Sequence, residues 1–175
     1  MLRLLTALAA LLTALTATPA LADVQMTFHS FNGSVFFGRY PHAFVSLDGT
    51  LEDGTRVKEN YGFTAKRATT AVLRGPVEHT IQVEEDKYLT STNRHFTVTL
   101  DDAQVARARA LMRRWRDAPG KFYNLDTRSC IHFVGEMAKI AGLQVSYPKK
   151  MLRRPKQWLN HIAALNPGLK AKAVR

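Results

Sequence analysis

The chain has 175 residues, of which 46% are hydrophobic and 22% charged, with a formal net charge of +11 and one cysteine. The apolar fraction excludes an intrinsically disordered chain, and the length is that of one domain with a core able to stand without covalent staples. A single cysteine excludes an internal disulfide framework.

The first 22 residues read as a secretory signal. Arg3 stands at the front, "LLTALAALLTALTA" is an apolar run, and Pro19 precedes Ala20 and Ala22, which match an A-x-A cleavage site. The mature chain is expected to begin at Asp23 and to reside in the periplasm or outside the cell. No later apolar run is long enough to span a bilayer. No cysteine follows the cleavage position, which argues against a lipid anchor there. Residues 23–165 are expected to form the domain, and 166–175, "NPGLKAKAVR", a basic tail that frays.

The first mature half reads as β structure. "DVQMTFHSF" alternates through Val24, Met26 and Phe28. "NGSVFFGRYP" is punctuated by Gly33, Gly38 and Pro41 and reads as a loop or a short helical turn. Its aromatic residues, with Phe31, Phe36, Phe37 and Tyr40 in reach, suit either a substrate groove or core packing. "HAFVSL" (42–47) and "TRVKENYGFTA" (55–65) flank two Asp-Gly pairs, Asp48-Gly49 and Asp53-Gly54, which signal a hairpin. "VEHTIQVEE" (77–85) and "HFTVTL" (95–100) complete a meander of four or five strands.

The second half reads as α structure. Asp101 and Gln104 form a capping box, and Val105, Ala108, Leu111, Met112 and Trp115 recur at helical spacing until Pro119-Gly120. A second helix is expected after Asp126 or Thr127 as N-cap, with Cys130, Phe133, Val134, Met137, Ala138 and Ala141 on one face and Gly142 at its end. A short helix over 153–165 follows. Strands followed by helices imply an α+β domain: an antiparallel sheet packed against helices.

Charge is divided unevenly. Residues 23–100 hold 8 Lys/Arg against 9 Asp/Glu, whereas residues 101–175 hold 16 against 5. A basic helical half on an exported chain suits anionic envelope polymers or lipid headgroups better than nucleic acid, which is not expected as a partner. The plainer reading is a solvated, solubilising surface.

Cys130 raises the functional question. A free thiol is unusual in an oxidising compartment. It falls in the first turn of its predicted helix, where unpaired N–H groups favour a thiolate and can hold an oxyanion. The competing reading is a small residue packed in the core. A nucleophilic cysteine needs a histidine close in space. Six are available: His29, His42, His79, His95, His132 and His161. His42 opens a central-looking strand beside a Gly-rich loop, which favours it modestly. One cysteine and no paired histidine spacing leave no zinc motif, so neither metal nor cofactor is expected.

"YPHAFVSLDG", then "NYGF", then "YNLDTRSCIHFVGEMAKIAGL" resemble the circularly permuted papain-like cysteine hydrolases, relatives of NlpC-type cell-wall peptidases and lecithin retinol acyltransferase. In that group the histidine strand precedes the cysteine helix. His42, Gly62-Phe63, Tyr123-Asn124-Leu125, Cys130 and Phe133 stand in the matching order, over roughly residues 40 to 143. Two positions depart: Pro41 stands where a glycine is common, and Ser129 where an asparagine often precedes the cysteine. The resemblance implies a permuted papain-like fold with Cys130 as nucleophile, His42 as proton shuttle and a third polar residue orienting the imidazole. Pairing Val45 with Val57 would set His42 opposite Asn60; a slip of one residue would offer Glu59 or Tyr61 instead. The implied chemistry is acyl transfer, on an envelope peptide such as peptidoglycan or, alternatively, on a lipid acyl group. A non-catalytic envelope-binding module of the same fold is the remaining reading.

Overall fold

The computed structural model describes residues 23–33, 40–67 and 69–175. The expected signal segment, and Phe36 and Phe37 of the aromatic loop, lie outside the described residues. The described residues form five strands: β1 (Asp23–Phe31), β2 (His42–Thr50), β3 (Arg56–Ala65), β4 (His79–Gln82) and β5 (Asn93–Leu100). A one-turn helix α1 (Asp86–Leu89) precedes β5, and α2 (Asp102–Arg116), α3 (Cys130–Ile140) and α4 (Pro155–Leu165) follow it. The strands form one antiparallel sheet in the order β4-β3-β2-β1-β5, so the chain is α+β as expected.

Alternation divides the sheet. Met26 pairs with Leu47, and Phe28 with Val45 on one side and Phe96 on the other. These side chains are buried in the same core as Leu111 and Trp115 of α2, Phe133 and Met137 of α3, and Trp158 and Ile162 of α4. Phe63 joins sheet to helices, with its ring 4.7 Å from Trp115 and 6.0 Å from Phe133. The other face carries Thr27, His29, His42, Phe44 and Asn60, all buried. There His29 stacks on Phe44 and bridges Ser46 and Thr92, at 2.8 and 2.9 Å.

The α2 capping box is present: Gln104 N–H donates to Asp101 Oδ1 at 2.6 Å, and Asp101 N–H to Gln104 Oε1 at 3.0 Å. The N-cap of α3 is Ser129, not Asp126 or Thr127 as the sequence suggested. Its N–H donates to His132 Nδ1 at 3.2 Å. Asp126 and Thr127 instead give their N–H groups to Asn124 Oδ1, at 2.9 and 3.1 Å, which closes a tight turn just before the helix.

The last ten residues, expected to fray, are docked. Asn160 on α4 donates Nδ2 to the Val174 carbonyl at 2.9 Å and accepts the Val174 N–H at 3.0 Å. Asn166 clamps Gln144 by both backbone groups, at 2.9 Å each. Leu169 and Ala171 pack on the core.

One feature of the sheet positions the site. The first part of β3 pairs with β2, from Val45↔Tyr61 to Thr50↔Arg56. Its second part pairs with β4, from Gly62↔Gln82 to Ala65↔His79. The opening residues of β2, His42–Phe44, pair with β1 alone, so their other backbone edge faces the space into which α3 begins.

Candidate active site

Cys130 is the first residue of α3 and is 5% exposed. Its sulfur meets the free edge of β2: the backbone N–H groups of Ala43, Ile131 and Cys130 itself act on it as donors. The Ala43 N–H belongs to the peptide bond that follows His42. The sheet's split and the start of the helix therefore bring the sulfur to the histidine strand, from opposite halves of the chain.

The segment before α3 holds that helix start in place. Tyr123 forms a two-way backbone bridge with Val77, at 2.9 and 3.0 Å. Asn124 and Arg128 exchange backbone hydrogen bonds at 3.0 and 2.9 Å, around the turn closed by the Asn124 side chain. The Tyr123 phenol lies beside Cys130, where the two share the wall of one cavity. Burial, with the charge of a Cys130 thiolate behind it, pushes the Tyr123 phenol well above its ordinary range, so the hydroxyl stays protonated.

His42 is 6% exposed and lies on the sheet face of Phe31 and Phe44, its ring 5.6 Å from that of Phe31. Its Nε2 is buried without a hydrogen-bond partner and points at Gly62, where an added Cβ would lie 2.5 Å away. A glycine within a strand marks a close approach, and here the imidazole is what approaches. Among the described residues no hydrogen bond joins the thiol to the imidazole.

The register corrects the expected third residue. Val45 pairs with Tyr61, not Val57, so Asn60 stands opposite Ser46, four positions from the expected pairing. The Asn60 amide is engaged elsewhere: Nδ2 donates to the Glu84 carbonyl at 2.9 Å, and Oδ1 accepts the Glu84 N–H at 2.6 Å. Glu59 is on the helix face, paired with Arg109 at 2.5 Å and accepting the Tyr61 hydroxyl. Neither orients His42.

The electrostatics also differ from the helix-start expectation. Burial pushes the Cys130 thiol up to about 11, and the three backbone donors only partly offset it. Burial pulls His42 down to about 4. Loss of water around the sulfur outweighs the favourable field of one helix end. The resting pair is thus thiol and neutral imidazole.

Each of the other five histidines has a hydrogen-bonded ring nitrogen, although His79 Nδ1, like His42 Nε2, is buried without a partner. His29 holds Thr92 and Ser46, His79 the Arg116 carbonyl, and His95 Ser30 and Asn160. His132 holds Ser129, and His161 holds Ser146. Among the described residues no group of three His, Cys, Asp or Glu side chains could hold a metal ion.

A cavity of about 210 Å³ opens beside the thiol, lined by Tyr40, Leu73, Tyr123, Cys130, Leu152 and Pro155 among others. Its walls are mostly apolar. Tyr40 and Leu73, 60% and 63% exposed, stand at its mouth. Sequence reading missed the Ala43 N–H, because a backbone group carries no residue signature. It also missed the Asn124 clamp, although Asn two or three residues ahead of a turn is a local signal.

No family model matches the chain, and neither does any curated protein or solved structure.

Proposed function

We propose that the chain is an exported cysteine hydrolase of the permuted papain-like kind, an amidase or peptidase acting on an envelope peptide such as peptidoglycan. The observation that carries this reading is the lone thiol at the first residue of a helix, set against the His42–Ala43 peptide and open to a cavity. In the proposed reaction a substrate carbonyl enters that cavity. Cys130 Sγ bonds to the carbonyl carbon, helix-start N–H groups take the negative oxygen, and the thiol proton passes to His42 once its ring has turned from the sheet face of Phe44 towards the cavity. The leaving group departs with the proton, and water then cleaves the acyl–sulfur bond. Because the resting groups are both neutral, the proton moves during attack rather than before it.

Two observations favour alternatives. The apolar cavity suits a lipid acyl group, as in a thioesterase or acyltransferase. The raised thiol and the unpartnered imidazole suit an envelope-binding module without catalysis. Incubating the mature protein and Cys130→Ser with purified peptidoglycan, and mapping products by mass spectrometry, separates these. Products that depend on Cys130 are expected; their absence would sink the cell-wall hydrolase.

A further inference from the structure

A second cleft adjoins the thiol cavity. It has a volume of about 260 Å³ and lies between Phe31, Asn32, Pro41 and the start of α4, where Arg153, Arg154 and Lys156 line it. Pro41, Arg153 and Pro155 line both spaces, so the two lie side by side across a shared wall. The segment 149–156, "KKMLRRPK", carries five cations and no acid. Leu152, Arg153 and Pro155 line the thiol cavity, while Arg154 and Lys156 line only the second cleft, and Arg153 and Arg154 are exposed.

Elsewhere on the surface Arg56, Lys58 and Lys139 are matched by carboxylates, while Arg107, Arg113 and Arg114 on α2 have none among the described residues. In the cleft only Arg153 is matched, through Asp126 at 3.1 Å. Arg154 and Lys156 have no carboxylate partner among the described residues. Arg153, Arg154 and Lys156 therefore set a net positive field in a cleft that also presents the apolar faces of Phe31, Pro41 and Pro155.

We propose that this cleft is a subsite for an anionic substituent, a carboxylate or a phosphate, on the compound whose acyl part lies at Cys130. The inference rests on the reading of Cys130 as the reacting centre. It defines the substrate as bipartite, with an apolar portion in the thiol cavity and an anionic portion held by Arg154 and Lys156.

The test reads the thiol and not turnover. The mature chain is treated with two methanethiosulfonates of similar size, one carrying a sulfonate and the other a trimethylammonium group. In each reaction Cys130 Sγ forms a disulfide with the reagent's thioalkyl group, methanesulfinate leaves, and the thiol proton passes to solvent. At low salt the anionic reagent is expected to react roughly ten-fold faster than the cationic one. Arg154→Gln with Lys156→Gln should lower that ratio several-fold. Arg107→Gln with Arg114→Gln, which removes the same charge from exposed positions on α2, should leave it nearly unchanged.

Competitors at matched ionic strength, with sodium chloride as the reference, distinguish the anion. Slowing by acetate indicates a carboxylate subsite, and slowing by inorganic phosphate a phosphate subsite. Protection by neither overturns the proposal. So does a ratio that falls equally with both double variants, which would reduce the effect to net charge. A thiol that reacts with neither reagent overturns it as well, since the cavity would not lead to the sulfur. A chain that labels as expected yet releases no Cys130-dependent product fails the hydrolase reading alone.

Discussion

Ala43 turns its backbone N–H to the sulfur of Cys130. The β2–β3 ladder ends at Val45↔Tyr61, which leaves one backbone edge of His42–Phe44 without a ladder partner, while β3 meets β4 along its opposite edge. A helix start fills the gap, and the only thiol is its first residue.

Burial of that thiol has a direct chemical consequence. Alkylation of Cys130 by iodoacetamide should keep accelerating above pH 9, with a midpoint near 11. A free cysteine gives a midpoint of about 8.5. A measured midpoint below 7 would mean that a thiolate–imidazolium pair forms, contrary to the resting arrangement described above.

Gly62→Ala would place a methyl group 2.5 Å from His42 Nε2 and 3.3 Å from Phe44 Cβ. The ring or the strand must shift, at a cost of about 1–3 kcal/mol. A lowered melting temperature is expected, with loss of any Cys130-dependent product. An unchanged melt together with full activity would show that the imidazole does not occupy that space.

Asn60→Ala leaves the Glu84 N–H and carbonyl without their buried partner. Chemical denaturation should show a loss of about 1–3 kcal/mol. The pH profile of Cys130 alkylation should stay where it is, because Asn60 braces the β3–β4 region and does not orient His42. A shifted profile would restore Asn60 as a positioning residue.

Stability should fall at both ends of the pH scale. Burial lowers His29, His42 and His95 to about 4, so the unfolded chain binds more protons than the folded one between about 6.5 and 4. Their contribution is complete above 6.5 and is lost as pH falls through that window, with a slope of about 1.4 kcal/mol per pH unit for each histidine still titrating. Cys130 acts in the opposite sense. Its folded value is raised, so its contribution is present below about 9 and is lost as pH rises towards 11. Urea denaturation across pH measures both limbs, and Cys130→Ala should flatten the start of the alkaline one.

Asn160→Ala removes both bonds to Val174 and the partner of His95 Nδ1. Trypsin should then cut after Lys170 and Lys172 more rapidly than in the parent protein. Equal cleavage rates would show that the tail is held by Leu169 and Ala171 alone.

Local signals carried most of the architecture. The alternation of β1, the Asp53-Gly54 turn between β2 and β3, and the Asp101–Gln104 box each act within a few residues, so composition and spacing reveal them, whereas Asp48-Gly49 lies within β2. The α+β order and the placing of Cys130 at a helix start follow from such signals. The α3 N-cap is ambiguous in the sequence because Asp126, Thr127 and Ser129 all suit that role; in the structure Asn124 takes the N–H groups of the first two and leaves the cap to Ser129.

What lay beyond the sequence depends on long-range closure. The β2–β3 register differs from expectation by four residues. A shift of four leaves every side chain on the same face, so alternation is silent about it, and Asn60 was assigned to His42 instead of Glu84. The ionisation of Cys130 was equally hidden. A helix start can be read from neighbouring residues, but the loss of water around a sulfur is set by every element that packs over it, and here that loss outweighs the helix field.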